Sequence, residues 1–192
     1  MKKLKAVARI ILFLNRNIFY SFKLRTFKNA EFDNYALGPL KKKDVPKILD
    51  LYKEFNEGNE LSLEKRLLLK FLGNKFCYIL CSKSDEIFGF GLYYFNKKDI
   101  NEKTIHEGYI GIKKEFRSKG IGTNARRTAL EHFSRIPSLN GVSSRVSLDN
   151  IASLKGNIKL GFEIKEKYWD ENENKERVYL VCDLDKYRKN KG

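Results

Sequence analysis

The stretch from residue 108 to residue 133 constrains this chain most. Gly108-Tyr109-Ile110-Gly111-Ile112 has the β-branched and aromatic character of a strand, and Thr123–Phe133 places apolar side chains at helical spacing. Between them lies Arg117-Ser118-Lys119-Gly120-Ile121-Gly122, so a strand enters a helix through a short basic loop with two glycines. A helix N-terminus carries unpaired N–H groups and a partial positive charge, which suits it to phosphate oxygens. Gly120 and Gly122 have no Cβ to block a close approach, and Arg117 and Lys119 add charge. Two phosphate signatures are excluded: the loop has no Gly-Lys-Ser/Thr ending and no third glycine completing a dinucleotide fingerprint. A tight turn with solvated cations is the plain structural alternative.

The rest of the chain alternates around this unit. Phe32–Leu37 reads as a first strand; Asp44 caps a helix that runs to Phe55, and Ser62 caps another that Gly73 closes. Phe76–Cys81 and Ile87–Phe95 form a hairpin, residues 97–103 a polar loop, and Thr104–Lys113 the central strand. Val142–Leu148 is a strand with Val142, Ser144, Val146 and Leu148 on one face, followed by a helix ending at Gly161 and strands at 162–169 and 177–184. This order predicts a mixed α/β sheet with helices on both faces, spanning residues 31–185, with a disordered basic tail at 186–192. Three cysteines without metal-ligand spacing read as reduced residues of a cytosolic protein, and two histidines make a His-rich metal site implausible.

The R-x-x-G-x-G run at Arg117–Gly122, with the strand aliphatic Ile112 five residues ahead of it, resembles the acyl-CoA pyrophosphate loop of the GNAT superfamily of N-acyltransferases. A second segment, from Asn150 through Ser153 and Asn157 to Leu160-Gly161-Phe162, is similar to that family's N-x-x-A/S…L-G-F helix. The resemblance covers about residues 32–184. It implies a GNAT-like three-layer α+β fold, with a mostly antiparallel sheet splayed between the strands at 104–113 and 142–148 to admit the pantetheine arm. It further implies acetyl-CoA or another acyl-CoA as donor substrate and no metal. The positions it assigns to the donor are Ile110, Gly111, Ile112, Arg117, Ser118, Lys119, Gly120, Ile121, Gly122, Thr123, Asn150 and Ser153, although Asn150 and Ser153 are equally good helix-capping residues.

The implied chemistry is attack of a neutral amine on a thioester, helped by near-attack geometry and by backbone N–H groups near Ile110–Ile112 facing the developing oxyanion. The family often places a base at the start of the central strand, here His106 and Glu107, with strand alternation sending only one of them into the cleft. His106 is favoured for its pKa, and alternation puts it on a face with Gly108, Ile110 and Ile112. Asn157 stands where the family often has a proton-donating Tyr and is a poor acid. Glu57, Glu60 and Glu64 are candidates for amine recognition or plain surface carboxylates. The expected reaction is N-acylation of a primary amine on a small molecule, such as an amino sugar for surface polysaccharide. A protein or peptide amine and a non-catalytic acyl-CoA-binding regulator are the alternatives.

The formal net charge of +15 is unevenly spread: residues 1–30 hold Lys2, Lys3, Lys5, Arg9, Arg16, Lys23, Arg25 and Lys28 and no acidic residue. Leu4, Val7, Ile11, Leu14 and Ile18, continued by Phe22, form one stripe on a helix, with Lys5, Arg9, Arg16 and Lys23 roughly opposite. That pattern fits a helix lying on an anionic membrane surface, on the inner face of a cytoplasmic membrane; packing against the domain and a homodimer seam stay open. It is too short to span a bilayer, and a secretory signal lacks its small-residue cleavage site. Charge alone would also suit nucleic acid, but neither a helix-turn-helix nor an RNA-stacking motif supports that partner.

Overall fold

A computed structural model, which describes residues 2–171 and 173–189, arranges eight strands in one mixed sheet of order β1-β2-β3-β4-β5-β6-β8-β7. The strands are β1 (Ala30–Glu31), β2 (Tyr35–Pro39), β3 (Cys77–Ser82), β4 (Ile87–Tyr94), β5 (Thr104–Ile112), β6 (Gly141–Ser147), β7 (Phe162–Asp170) and β8 (Lys175–Asp183). All neighbours are antiparallel except β5 and β6. Helices α1 (Lys2–Ser21), α2 (Val45–Phe55) and α3 (Leu63–Phe76) cover one face; α5 (Ile121–Ser134), α6 (Ile151–Lys159) and α7 (Leu184–Lys189) cover the other, with the short α4 (Lys97–Glu102) leading into β5. The core between them is strongly aromatic, with Tyr78, Tyr93, Phe76, Phe88, Phe90 and Phe133 fully buried.

Several expectations are corrected. Residues 97–102 are helical rather than a loop, because Asn96 and Asp99 cap each other's backbone and Lys103 ends the turn in left-handed conformation at φ 54°. Gly73 does not close α3; the helix runs on to Phe76, and the glycine admits Leu40, whose Cδ2 would lie 2.8 Å from an added Cβ. The basic tail is helical as far as Lys189. Leu184 is buried, and Arg188 donates to the carbonyls of Ser134, Ile136 and Leu139. Residues 190–192 of that expected tail lie outside the described residues.

The N-terminal helix packs on α3 and the end of β4 by a side that flanks its apolar stripe. Phe13 meets Tyr94, Tyr20 meets Phe95, and Asn17, fully buried, accepts from Phe95 N at 2.8 Å and donates to Phe95 O at 3.2 Å. Asn17 thus satisfies the backbone at the end of β4 as a neighbouring strand would. Leu4, Val7, Ile11, Ile18 and Phe22 are left exposed, from 47% at Ile18 to 81% at Phe22.

Two departures from regular pairing shape the centre of the sheet. Strand β5 carries a bulge: Leu92 pairs with Tyr109 and Tyr93 with Glu107, leaving Gly108 unmatched. The bulge reverses the alternation, so His106 shares a face with Tyr109 and Gly111, toward α2 and α3, while Glu107 shares the other with Ile110 and Ile112, toward α5. The face expected for His106 is therefore corrected from Gly108 onward. Gly108 is required there, since an added Cβ would lie 2.0 Å from the ring of Tyr94. The second departure is a splay. Strands β5 and β6 pair only from Thr104↔Gly141 to Glu107↔Ser144, after which they separate.

Candidate functional site

Where β5 and β6 part, a cavity of about 880 Å³ opens. Its walls come from β5 and β6 at the base, α2 and α3 on one side, the ends of α5 and α6 on the other, and the β7–β8 hairpin above. Beyond Glu107 the edge of β5 facing β6 has no partner strand, so its backbone groups are free to bind something else. Of the residues singled out in the sequence, His106, Glu107, Ile110, Asn150 and Ser153 line this cavity.

His106 is 4% exposed, and its Nδ1 lies 2.8 Å from Ser143 Oγ. Ser143 Oγ in turn donates to Asp99 Oδ1 at 2.6 Å, and Asp99 also accepts from Thr104 Oγ1 and from Asn96 N. A hydroxyl has one proton. Ser143 commits it to the carboxylate, so its oxygen accepts from His106 Nδ1–H, and the network assigns the tautomer. Nε2 is then the basic nitrogen, with no hydrogen bond to the described residues. Burial, followed by the nearby charges of Arg145, Lys65 and Arg177, pushes the imidazole down to about 3, so His106 is neutral across the physiological range.

Glu107 has a different environment. Arg126 of α5 grips both its oxygens, Nε at 3.0 and 2.8 Å and Nη2 at 2.8 Å, while Tyr93 and Ser144 hydroxyls donate at 3.3 Å. Both partners are almost fully buried. A carboxylate held by four donor groups is occupied as an acceptor, so Glu107 ties β5 to α5 rather than standing free to take a proton.

The basic loop sits at the far end of β5. Arg117 Nε donates to Ile112 O at 2.7 Å, Gly120 takes the left-handed conformation at φ 73°, and no side chain caps α5. The first-turn N–H groups of Ile121, Gly122 and Thr123 are thereby presented without a side-chain acceptor. An added Cβ at Gly120 would meet nothing within 4 Å, and one at Gly122 only Ile112 at 3.5 Å, so the approach to the loop is open. These features fit a pyrophosphate. Ser118, at φ 62°, and Lys119, which lies 5.7 Å from the Phe116 ring, are exposed on the same loop. Gly111 and Ile112 connect loop and cavity.

Asn157 of α6 is fully buried and its amide nitrogen donates back to Ser153 O at 3.0 Å, while its Oδ1 has no hydrogen-bond partner among the described residues. Asn150 caps α6, accepting from Ser153 N at 3.1 Å, whereas the Ser153 hydroxyl caps nothing and lies 3.5 Å from Arg126 Nη2. Glu60 pairs with Arg66 and Glu64 accepts from Ser62, both outside the cavity; α3 contributes Lys65 instead. Sequence reasoning missed Asp99, Ser143, Arg126, Lys65 and Arg145. A signal existed for Arg126, a charge set among Ala125, Ala129, Leu130 and Phe133 on the buried face of a helix, where it demands a buried partner.

Comparison with known proteins agrees with this geometry. The family described as "Acetyltransferase (GNAT) family" matches residues 45–162. A search of curated proteins finds no match. Among solved structures, Arabidopsis thaliana NAA60 in complex with a bisubstrate analogue superposes with a TM-score of 0.66 at 13% identity, over 78% of this chain and 97% of that one. Diaminobutyrate acetyltransferase EctA from Paenibacillus lautus, with L-2,4-diaminobutyric acid and coenzyme A, gives 0.64 at 15%, over 78% and 95%. A spermidine N-acetyltransferase SpeG chimera from Vibrio cholerae and hSSAT gives 0.62 at 19%, over 80% and 97%. At these identities the structures share the fold. Among the described residues no group of His, Cys, Asp and Glu is arranged to hold a metal, and no helix is long and apolar enough to cross a membrane.

Proposed function

The chain belongs to the acetyltransferase (GNAT) family and is an acetyl-CoA-dependent N-acetyltransferase; on that premise we propose that it acetylates the primary amine of a small molecule, with His106 as the base. The observation that carries this reading is the free Nε2 of His106 in the splayed cavity, its ring locked by Ser143 and Asp99. The loop at Arg117–Gly122 and the α5 N-terminus hold the donor's pyrophosphate, and the unpaired edge of β5 near Ile110–Ile112 lies along its acyl arm. The acceptor nitrogen forms a bond to the acyl carbon as the carbon–sulfur bond breaks, and the nitrogen's proton passes to His106 Nε2 directly or through one water. A thiol has a pKa of about 8.5, so the thiolate departs without a dedicated acid and is protonated by water. The cavity, roofed by the β7–β8 hairpin and open to solvent at its mouth, has room for a compact acceptor such as an amino sugar.

A thermal shift measurement tests the donor site. At about 100 times its dissociation constant, acetyl-CoA stabilises the native state by about 2.7 kcal/mol, a shift of roughly 5–10 °C for a chain of this size, while ATP at equal concentration and salt gives much less. Equal shifts with both, or none with either, would remove the acyl-CoA assignment from the loop.

The exposed stripe of α1 supports a second element of the proposal, attachment to an anionic membrane surface. The helix is held to the domain through Phe13, Asn17 and Tyr20, which leaves Leu4, Val7, Ile11, Ile18 and Phe22 exposed, and residues 1–30 carry eight cations and no carboxylate. The protein should sediment with phosphatidylglycerol vesicles but not with phosphatidylcholine vesicles, and Ile11→Glu should abolish the binding without unfolding the domain. A stripe-dependent dimer in lipid-free solution that ignores vesicles would show that a second copy covers this face instead.

A further inference from the structure

The inner wall of the cavity is cationic where the acceptor must sit. Lys65 of α3 and Arg145 of β6 both line it, and both bear on His106. Neither forms an ion pair among the described residues. The Lys65 ammonium lies over the ring of Tyr94 at 5.2 Å, and Tyr94 packs edge-on against His106 at 5.3 Å; the Arg145 guanidinium lies over Tyr179 at 5.4 Å. Burial holds the Lys65 ammonium below its ordinary pKa, and the charge of neighbouring Glu64 offsets this only in part. A third cation, Arg177, is already matched by Asp170 at 3.3 Å. The remaining carboxylates of the cavity are Glu107, gripped by Arg126, and Glu171 and Glu173, exposed at the turn between β7 and β8.

Resting on the acetyltransferase reading above, we propose that the acceptor carries an oxyanion, a carboxylate or a phosphate, close to its amine, and that Lys65 and Arg145 bind this group while His106 addresses the nitrogen. Two partly desolvated cations that stand outside any ion pair among the described residues gain charge-assisted hydrogen bonds from such a group. A polyamine would bring a second ammonium against them. Each cation rests against an aromatic ring in the absence of ligand, which limits the conformations lost when the acceptor arrives. Arg145 stands next to Ser144 and two residues from Ser143 on the same strand, which fixes the anion subsite relative to the base.

The test uses matched pairs that differ only in the anion: L-2,4-diaminobutyrate against 1,3-diaminopropane for a carboxylate, and O-phosphoethanolamine against ethanolamine for a phosphate. The chain's one tryptophan, Trp169, lines the cavity, so its fluorescence reports binding to protein already saturated with CoA. The anionic member of at least one pair should bind about tenfold or more tightly than its partner. The pair that discriminates identifies carboxylate or phosphate. Lys65→Met and Arg145→Met should each erase most of that preference and leave CoA affinity unchanged. Equal binding within both pairs, no binding of any member, or a preference that survives both substitutions would overturn the proposal. Loss of CoA binding by the unsubstituted protein would instead overturn the acetyltransferase reading beneath it.

Discussion

Arg126→Met is expected to lower the melting temperature by about ten degrees, the largest stability effect foreseen for a single substitution in this chain. The reason lies in what remains. Glu107 is 6% exposed and would be left with only the Tyr93 and Ser144 hydroxyls as partners, both at 3.3 Å. Breaking one side of a buried ion pair typically costs about 3–5 kcal/mol because the other charge is left uncompensated. Removing both charges is far less damaging, so adding Glu107→Met to Arg126→Met should restore much of the lost stability even though two native side chains are gone. Thermal denaturation of the two single variants and the double variant forms the cycle. A single variant within about 2 °C of the parent would show that the pair contributes little, against its burial and its bidentate geometry. The pair also joins β5 to the helix whose N-terminus forms the anion loop, so the Arg126 variant should bind acetyl-CoA more weakly than its residual stability alone explains.

The strand–loop–helix around Arg117–Gly122 was legible because its signal is compositional. Glycines and cations at Arg117–Gly122 between a strand pattern and a helix pattern are local facts, and the structure places a strand end, an open loop and an uncapped helix there. The facing of His106 was not legible, because strand alternation holds only while the ladder is regular. The bulge at Gly108 inserts one residue and reverses every side chain after it. A glycine inside a strand pattern hints at such a bulge but does not distinguish it from the glycine at 111, which lies on a regular stretch.

Long-range partners were similarly hidden. Asp99 was read as part of a polar loop, although Asn96 with Asp99 three residues on is a capping pair; its second task, holding Ser143 across 44 positions, exists only once β6 lies beside β5. The N-terminal helix shows the opposite failure. Its period was legible, but the side that packs was not, because it is set by Phe13, Asn17 and Tyr20 meeting Tyr94 and Phe95, partners that only the fold brings near.

His106→Ala is expected to reduce kcat by about 10²-fold, the lower end of the range for a positioned general base, because burial makes this imidazole a weaker base than a free one. The KM for acetyl-CoA should stay near that of the parent, because His106 faces α2 and α3 whereas the donor loop lies at the far end of β5. Ser143→Ala leaves the imidazole in place but removes the acceptor of Nδ1–H, so the ring loses its fixed tautomer and its support as an imidazolium. It should lower kcat by a smaller factor, about tenfold, with the same indifference of KM, a split that general loss of structure would not produce. The pH profile supplies the discriminating readout. Because burial pushes His106 down to about 3, the base is neutral throughout pH 5–8 in the free enzyme. Log kcat/KM for an amine of pKa near 10 should therefore climb with a slope of about one across that range, set by deprotonation of the acceptor alone. An inflection near 6.5 would mean that an ordinary, solvated histidine titrates in the cleft, and retention of parental kcat by His106→Ala would remove it from proton transfer. The same depressed pKa acts on folding: the unfolded chain takes up a proton near 6.5 that the native imidazole refuses until about 3, so the stabilising contribution is complete above about pH 6.5 and is lost as pH falls through that window. Activity measured toward pH 4 must accordingly be corrected for unfolded enzyme before its slope is assigned to chemistry.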